Sequence, residues 1–112
     1  MTIEEYFATG PPHERPVFEA VVAHLRSLGP IHIEPVSVGV FIKKGGSFVE
    51  LRPMTKWVAM WFALHRRLVH PQIARRPIQA GRKTFHVVNL RTPADLTDDV
   101  KAWLTEAYEI AD

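Results

Sequence analysis

Cysteine is absent from this 112-residue sequence, which excludes disulfides and thiolate metal sites outright. The longest apolar run, Trp57 to Leu64, is eight residues long. A membrane-spanning helix needs ~20. Internal repeats, low-complexity tracts and flexible linkers are also missing, so residues 1–112 read as a single domain. Met1 to Ala8 carries Glu4 and Glu5, without the cationic start and apolar block of a signal peptide. These absences predict a soluble, cytoplasmic protein with no membrane partner, and a thiol-free chain suits a reducing compartment.

Core material is plentiful. Hydrophobic residues make up 46% of the chain, with six Phe, three Trp and two Tyr. A chain of this length buries roughly two-thirds of its unfolded surface, so it needs no covalent staple. Charged residues at 23% argue against disorder. The net charge of +2 is small, but its distribution is not even: residues 1–30 carry −2, 31–64 carry +2, 65–90 carry +6 and 91–112 carry −4. The +6 comes from Arg66, Arg67, Arg75, Arg76, Arg82 and Lys83, with no acid among them.

Thr2-x-x-Glu5 has capping-box spacing and predicts a short helix from about Ile3 to Ala8, stopped by Gly10-Pro11-Pro12. A second helix, Glu14 to Leu28, follows from the stripe Val17, Phe18, Val21, Val22, Leu25 and Leu28, with Gly29-Pro30 as its stop. The period then changes to two. Ile31 to Pro35, Val38 to Lys43 and Phe48 to Arg52 read as strands, the last two joined through Lys44-Gly45-Gly46-Ser47. Lys56 to Leu64 is apolar on both faces, as in a central strand. A helix from Thr55 to Val69 competes with that strand, since Trp57, Trp61, Leu64 and Leu68 would share one face. Pro71, Pro77 and Gly81 break the next segment. Thr84 to Leu90 is a last strand, with Phe85, Val87 and Asn89 opposite His86, Val88 and Leu90. Thr97 caps a final helix that buries Val100, Trp103, Leu104, Ala107, Tyr108 and Ala111. The predicted class is α+β. Its order is α-α-β-β-β-β-β-α: a mostly antiparallel five-stranded sheet with the N- and C-terminal helices packed on one face.

Five segments occur in a familiar order: "YFATG", "VFEAVVAHLRSLGP", "FIKKGGSFVELRP", "FHVVNLRTPADL" and "DDVKAWLTEAY". In them the chain resembles the bacterial domain-of-unknown-function family numbered fifty-six fifty-five, from Tyr6 to Tyr108. The resemblance implies a small α+β domain, found alone or joined to other bacterial domains, with no established activity. It carries over no catalytic residue.

Four constellations bear on function. Arg66, Arg67, Arg75, Arg76, Arg82 and Lys83 on an irregular segment could track phosphates. The plainer account pairs Arg66 and Arg67 with the acidic last helix and leaves the others solvated. Helix-turn-helix, zinc-finger and paired-aromatic RNA-binding signatures are missing. His65, His70 and His86 lack the helical spacing and carboxylate of a metal site, so no metal is expected. Trp57 and Trp61 share one face of their strand and, with Arg52 and His86, could line a pocket for a planar or anionic ligand. Burial of both tryptophans in the core is the competing account. Glu34 and Glu50 could form an acid–base pair, but a cross-strand ion pair explains Glu50 more simply.

The sequence therefore predicts a non-catalytic binding or interaction module whose basic loop meets an anionic macromolecule or an acidic protein surface. The alternative is a small-ligand-binding or enzymatic domain with a cleft around Trp57, Trp61 and His86. No cofactor is expected, and the residues leave open whether the protein is an enzyme.

Overall fold

Thr2 and Glu5 form the reciprocal capping box that starts α1, Ile3–Phe7. After the Gly10-Pro11-Pro12 break, α2 runs Glu14–Leu28 and buries Val17, Phe18, Val21, Val22 and Leu25 along one stripe. Strands follow at His32–Val36 (β1), Gly39–Lys44 (β2), Gly46–Pro53 (β3), Val58–Leu64 (β4), Ile78–Ala80 (β5) and Lys83–Leu90 (β6). A single 3-10 turn, Pro93–Asp95, leads into α3, Asp98–Ile110, which Thr97 caps through Val100 N–H. This computed structural model describes residues 1–111. Among them, no helix is long and apolar enough to cross a membrane.

The sheet has six antiparallel strands in the order β1-β2-β3-β4-β6-β5, which corrects the expected five. The element order becomes α-α-β-β-β-β-β-β-α, with the 3-10 turn before the last helix. The added strand, β5, is only three residues long and wholly exposed, so it has no alternation of burial to read. It forms because Gly81, at φ 62°, lets the chain turn back so that Ala80 pairs with Lys83. The segment between Trp57 and Leu64 is strand rather than helix, and β4 lies between β3 and β6 with nearly every residue buried.

Strand parity divides the sheet into two faces. Val40, Leu51, Met60 and Val88 lie in register across four strands, as do Ile42, Val49, Phe62 and His86. The apolar members of these rows form one core with Phe18, Val21 and Leu25 of α2 and Trp103, Leu104 and Ala107 of α3. His24 Nε2 ties the helices together, 3.0 Å from Lys101 O and 3.0 Å from Thr105 Oγ1. A register shift between Ile42 and Lys43 lets both Phe48 and Val49 be buried. Gly39 is required where β2 meets β3: a Cβ there would lie 2.2 Å from Leu51 O.

The other face carries Phe41, Glu50, Trp61 and Val87 in one row and Arg52, Ala59 and Asn89 in the next. The helical core does not include this face.

Candidate functional site

Trp57, Ala59 and Trp61 alternate along β4 and its approach, so they share the face away from the helices. With Arg52, Met54, Val87 and Asn89 they line a cleft of about 210 Å³, closed on one side by Ala74 and Arg75. Ala59 and Val87 make an apolar floor, both nearly fully buried. Each tryptophan has a guanidinium over its ring: Arg75 lies 5.5 Å from the Trp61 centroid and Arg91 lies 5.3 Å from that of Trp57. Arg52 Nε donates to Glu50 Oε1 at 2.6 Å on the same face. Asn89 is half-buried at the cleft floor.

The loop that brings in Arg75 is anchored by polar bonds between residues distant in sequence. Gln72 donates to Asp95 O at 3.0 Å and accepts from Thr97 Oγ1 at 2.7 Å. Ala74 N–H donates to Val87 O at 2.8 Å, and Ile73 forms an isolated bridge with Val88, so the loop runs along the outer edge of β6. His70 Nε2 meets Asp99 Oδ2 at 3.1 Å, and the His70 ring sits edge-on to Trp103.

Two cations of the basic segment, Arg66 and Arg75, turn to separate partners. Arg66 folds onto α3, its Nε and Nη2 contacting the Glu106 carboxylate at 2.9–3.2 Å. Arg75 turns to Trp61. Arg67, Arg76, Arg82 and Lys83 are exposed and make no ion pair among the described residues. The Arg66–Glu106 pair is itself exposed, so Arg66→Ala should cost only about 0.2–1 kcal/mol in a denaturant titration. A larger loss would show that the stem of Arg66 packs on α3.

His86 lies apart from the tryptophans. In register it is opposite Phe62, one residue out of phase with Trp61, so its ring is on the core face. It is fully buried, its ring stacks on Phe62 at 5.3 Å, and Nε2 accepts the Leu68 N–H at 2.9 Å. Burial depresses its pKa below the usual imidazole range, and Arg66 and Arg67 add to the effect. Glu34 pairs with Lys43 across β1 and β2, while Glu50 pairs with Arg52 two residues along β3 rather than across strands as expected, so the two carboxylates serve separate ion pairs. Among the described residues, no three His, Asp or Glu side chains come together to hold a metal.

Asn89 and Arg91 were missed as site residues by sequence reasoning. The alternation Phe85, Val87, Asn89 carried the signal for the first. Arg91 had none, because it begins the acidic C-terminal segment and reaches Trp57 only through the β4–β6 register.

A model of the family described as "Domain of unknown function (DUF5655)" matches residues 3–111. No curated protein and no solved structure matches the chain.

Proposed function

The chain belongs to the DUF5655 family of domains of unknown function, and from that premise we propose a non-catalytic binding module that holds an anionic ligand bearing a planar ring. The carrying observation is that Arg75, from the basic loop, lies over Trp61 in the cleft on the uncovered sheet face. Two features that are separate in sequence, the cationic loop and the tryptophan pair, thus share one concave site. Aromatic walls favour a stacked ring, while Arg75 and Arg91 favour a nearby negative charge. Asn89 offers both a donor and an acceptor to the ring edge. A bacterial cytoplasm is the setting of this proposal and suits a chain without cysteine.

An enzymatic cleft centred on His86 has less support. A base must reach its substrate, and this imidazole is fully buried with Nε2 already accepting a backbone hydrogen bond.

The test is a thermal-shift and tryptophan-fluorescence titration with nucleoside mono- and triphosphates, short single-stranded oligonucleotides and inorganic polyphosphate. Ligands with rings should raise the melting temperature saturably, and polyphosphate should do so less. Trp61→Ala should weaken binding by about tenfold or more, as expected for one lost stacking contact. Arg75→Ala with Arg76→Ala should lower affinity and flatten its salt dependence, with the melting temperature of the free protein almost unchanged. Absence of binding across the panel at low salt would refute the proposal.

A further inference from the structure

A second site lies at the other polarity, where α1 meets α2. Glu14 opens α2 directly after the Gly10-Pro11-Pro12 break, and α1 folds over it. The residue is 3% exposed, which is rare for a glutamate without an ion pair. Tyr6 O–H donates to Oε2. No hydrogen bond or ion pair reaches Oε1 among the described residues. Arg15, the next residue, pairs with Glu19 at 3.1 Å, and His13, the preceding residue, favours the carboxylate only through space, without an ion pair to it.

Glu14 faces a cleft of about 180 Å³ bounded by Tyr6, Pro11, Val36, Ser37 and Pro53. Glu5 and Met1 also line it; no Lys, Arg or His side chain does, and the α-amino group of Met1 is the cation that acts on Glu5. Glu5 uses Oε1 to accept the Thr2 N–H within the capping box. The cleft therefore combines a buried, half-satisfied carboxylate, a second carboxylate at its wall, and flat apolar surfaces from two prolines and a tyrosine. A buried charge with one free oxygen is costly until a counter-charge or donor meets it. Desolvation raises the Glu14 pKa by more than the Tyr6 hydrogen bond and the nearby His13 lower it.

We propose that this cleft binds an organic cation, specifically a guanidinium group, with Glu14 Oε1 as its principal acceptor. Guanidinium is more weakly hydrated than ammonium, and its planar face suits proline and tyrosine walls. Its N–H groups can reach Glu14 and Glu5 together, which a single spherical ammonium does less well. The source is either a free small guanidine or an arginine side chain of a partner peptide.

The test is a backbone-amide NMR titration of the whole chain with n-butylguanidinium, n-butylammonium, neutral n-butylurea and acetyl-Gly-Arg-Gly-amide. Butylguanidinium should give saturable shifts at Gly10, Val36 and Ser37, with an affinity on the order of millimolar. Butylammonium should bind more weakly, and butylurea should give no saturable shift. Glu14→Gln should lower the affinity about tenfold or more. Ser37→Arg, at an exposed position on the cleft edge, should fill the site with a tethered guanidinium and abolish binding; this readout remains if Glu14→Gln fails to fold. Peptide binding at least as tight as that of butylguanidinium would identify an arginine side chain as the source, and weaker peptide binding a free guanidine. Equal binding of butylurea, no saturable shift, or binding unchanged in Ser37→Arg or in folded Glu14→Gln would overturn the proposal.

Discussion

Trp103→Ala is expected to lower the stability of this domain by about 3–5 kcal/mol, read as a shift in denaturation midpoint at constant slope. The residue is only 8% exposed and lies on the inner face of α3. Its ring stacks on Phe62 of the central strand at 6.2 Å and receives the edge of His70 at 4.8 Å. Truncation therefore removes the contact between helix and sheet and leaves a cavity beneath the loop that His70 helps to hold. For a domain of this size, the loss is a large part of total stability. A change below about 1 kcal/mol would mean that α3 does not dock as described.

His86→Ala should cost about 2–4 kcal/mol, from two causes. The buried ring leaves a void beside Phe62, and the Leu68 N–H loses its acceptor. Acid should produce a related effect in the unmodified protein. The folded-state pKa of His86 is depressed, so between that value and its unfolded value of about 6.5 the unfolded chain binds the proton and the folded chain does not. Stability from this group is full above the unfolded pKa and falls as pH drops below it. Glu14 acts in the opposite sense: its raised pKa means that its protonation on acidification favours the folded state. Glu14→Gln should therefore steepen the net loss of stability through the acid range, whereas His86→Ala should shallow it. Identical pH profiles in the unmodified and His86→Ala proteins would show that His86 is not the group responsible.

Most of the fold could be read from local pattern. The Thr2 and Thr97 caps, the apolar stripe of α2 and the two-faced hydrophobicity of β4 each depend on neighbours within a few residues. Propensity, capping and periodicity act at that range, so the helices and β4 were legible without a fold. The same period-2 rule put Trp57 and Trp61 on one face.

The site was only partly legible. Sequence grouped His86 with Trp57, Trp61 and Arg52, but proximity in a sheet does not mean sharing a face. The pairing of Trp61 with Val87 and Phe62 with His86 turns the imidazole into the core, and a one-residue change of register would have reversed it. Likewise, the sum of +6 over residues 65–90 could not say which cations were free, because Arg66 meets Glu106 forty residues away. The burial of Glu14 depends on α1 folding over it, which no pattern within α2 reveals.

By itself, then, the sequence determined the helices, most of the strands, the absence of thiol chemistry and the uneven charge. Those follow from covalent identity and from interactions among near neighbours. Tertiary structure alone decided the sixth strand, the buried place of His86, and the meeting of Arg75 with Trp61 and Arg91 with Trp57. Each depends on strand register, or on a loop held by polar bonds between residues distant in sequence. Register and loop path are set by burial and hydrogen bonding across the whole chain, so no local window contains them.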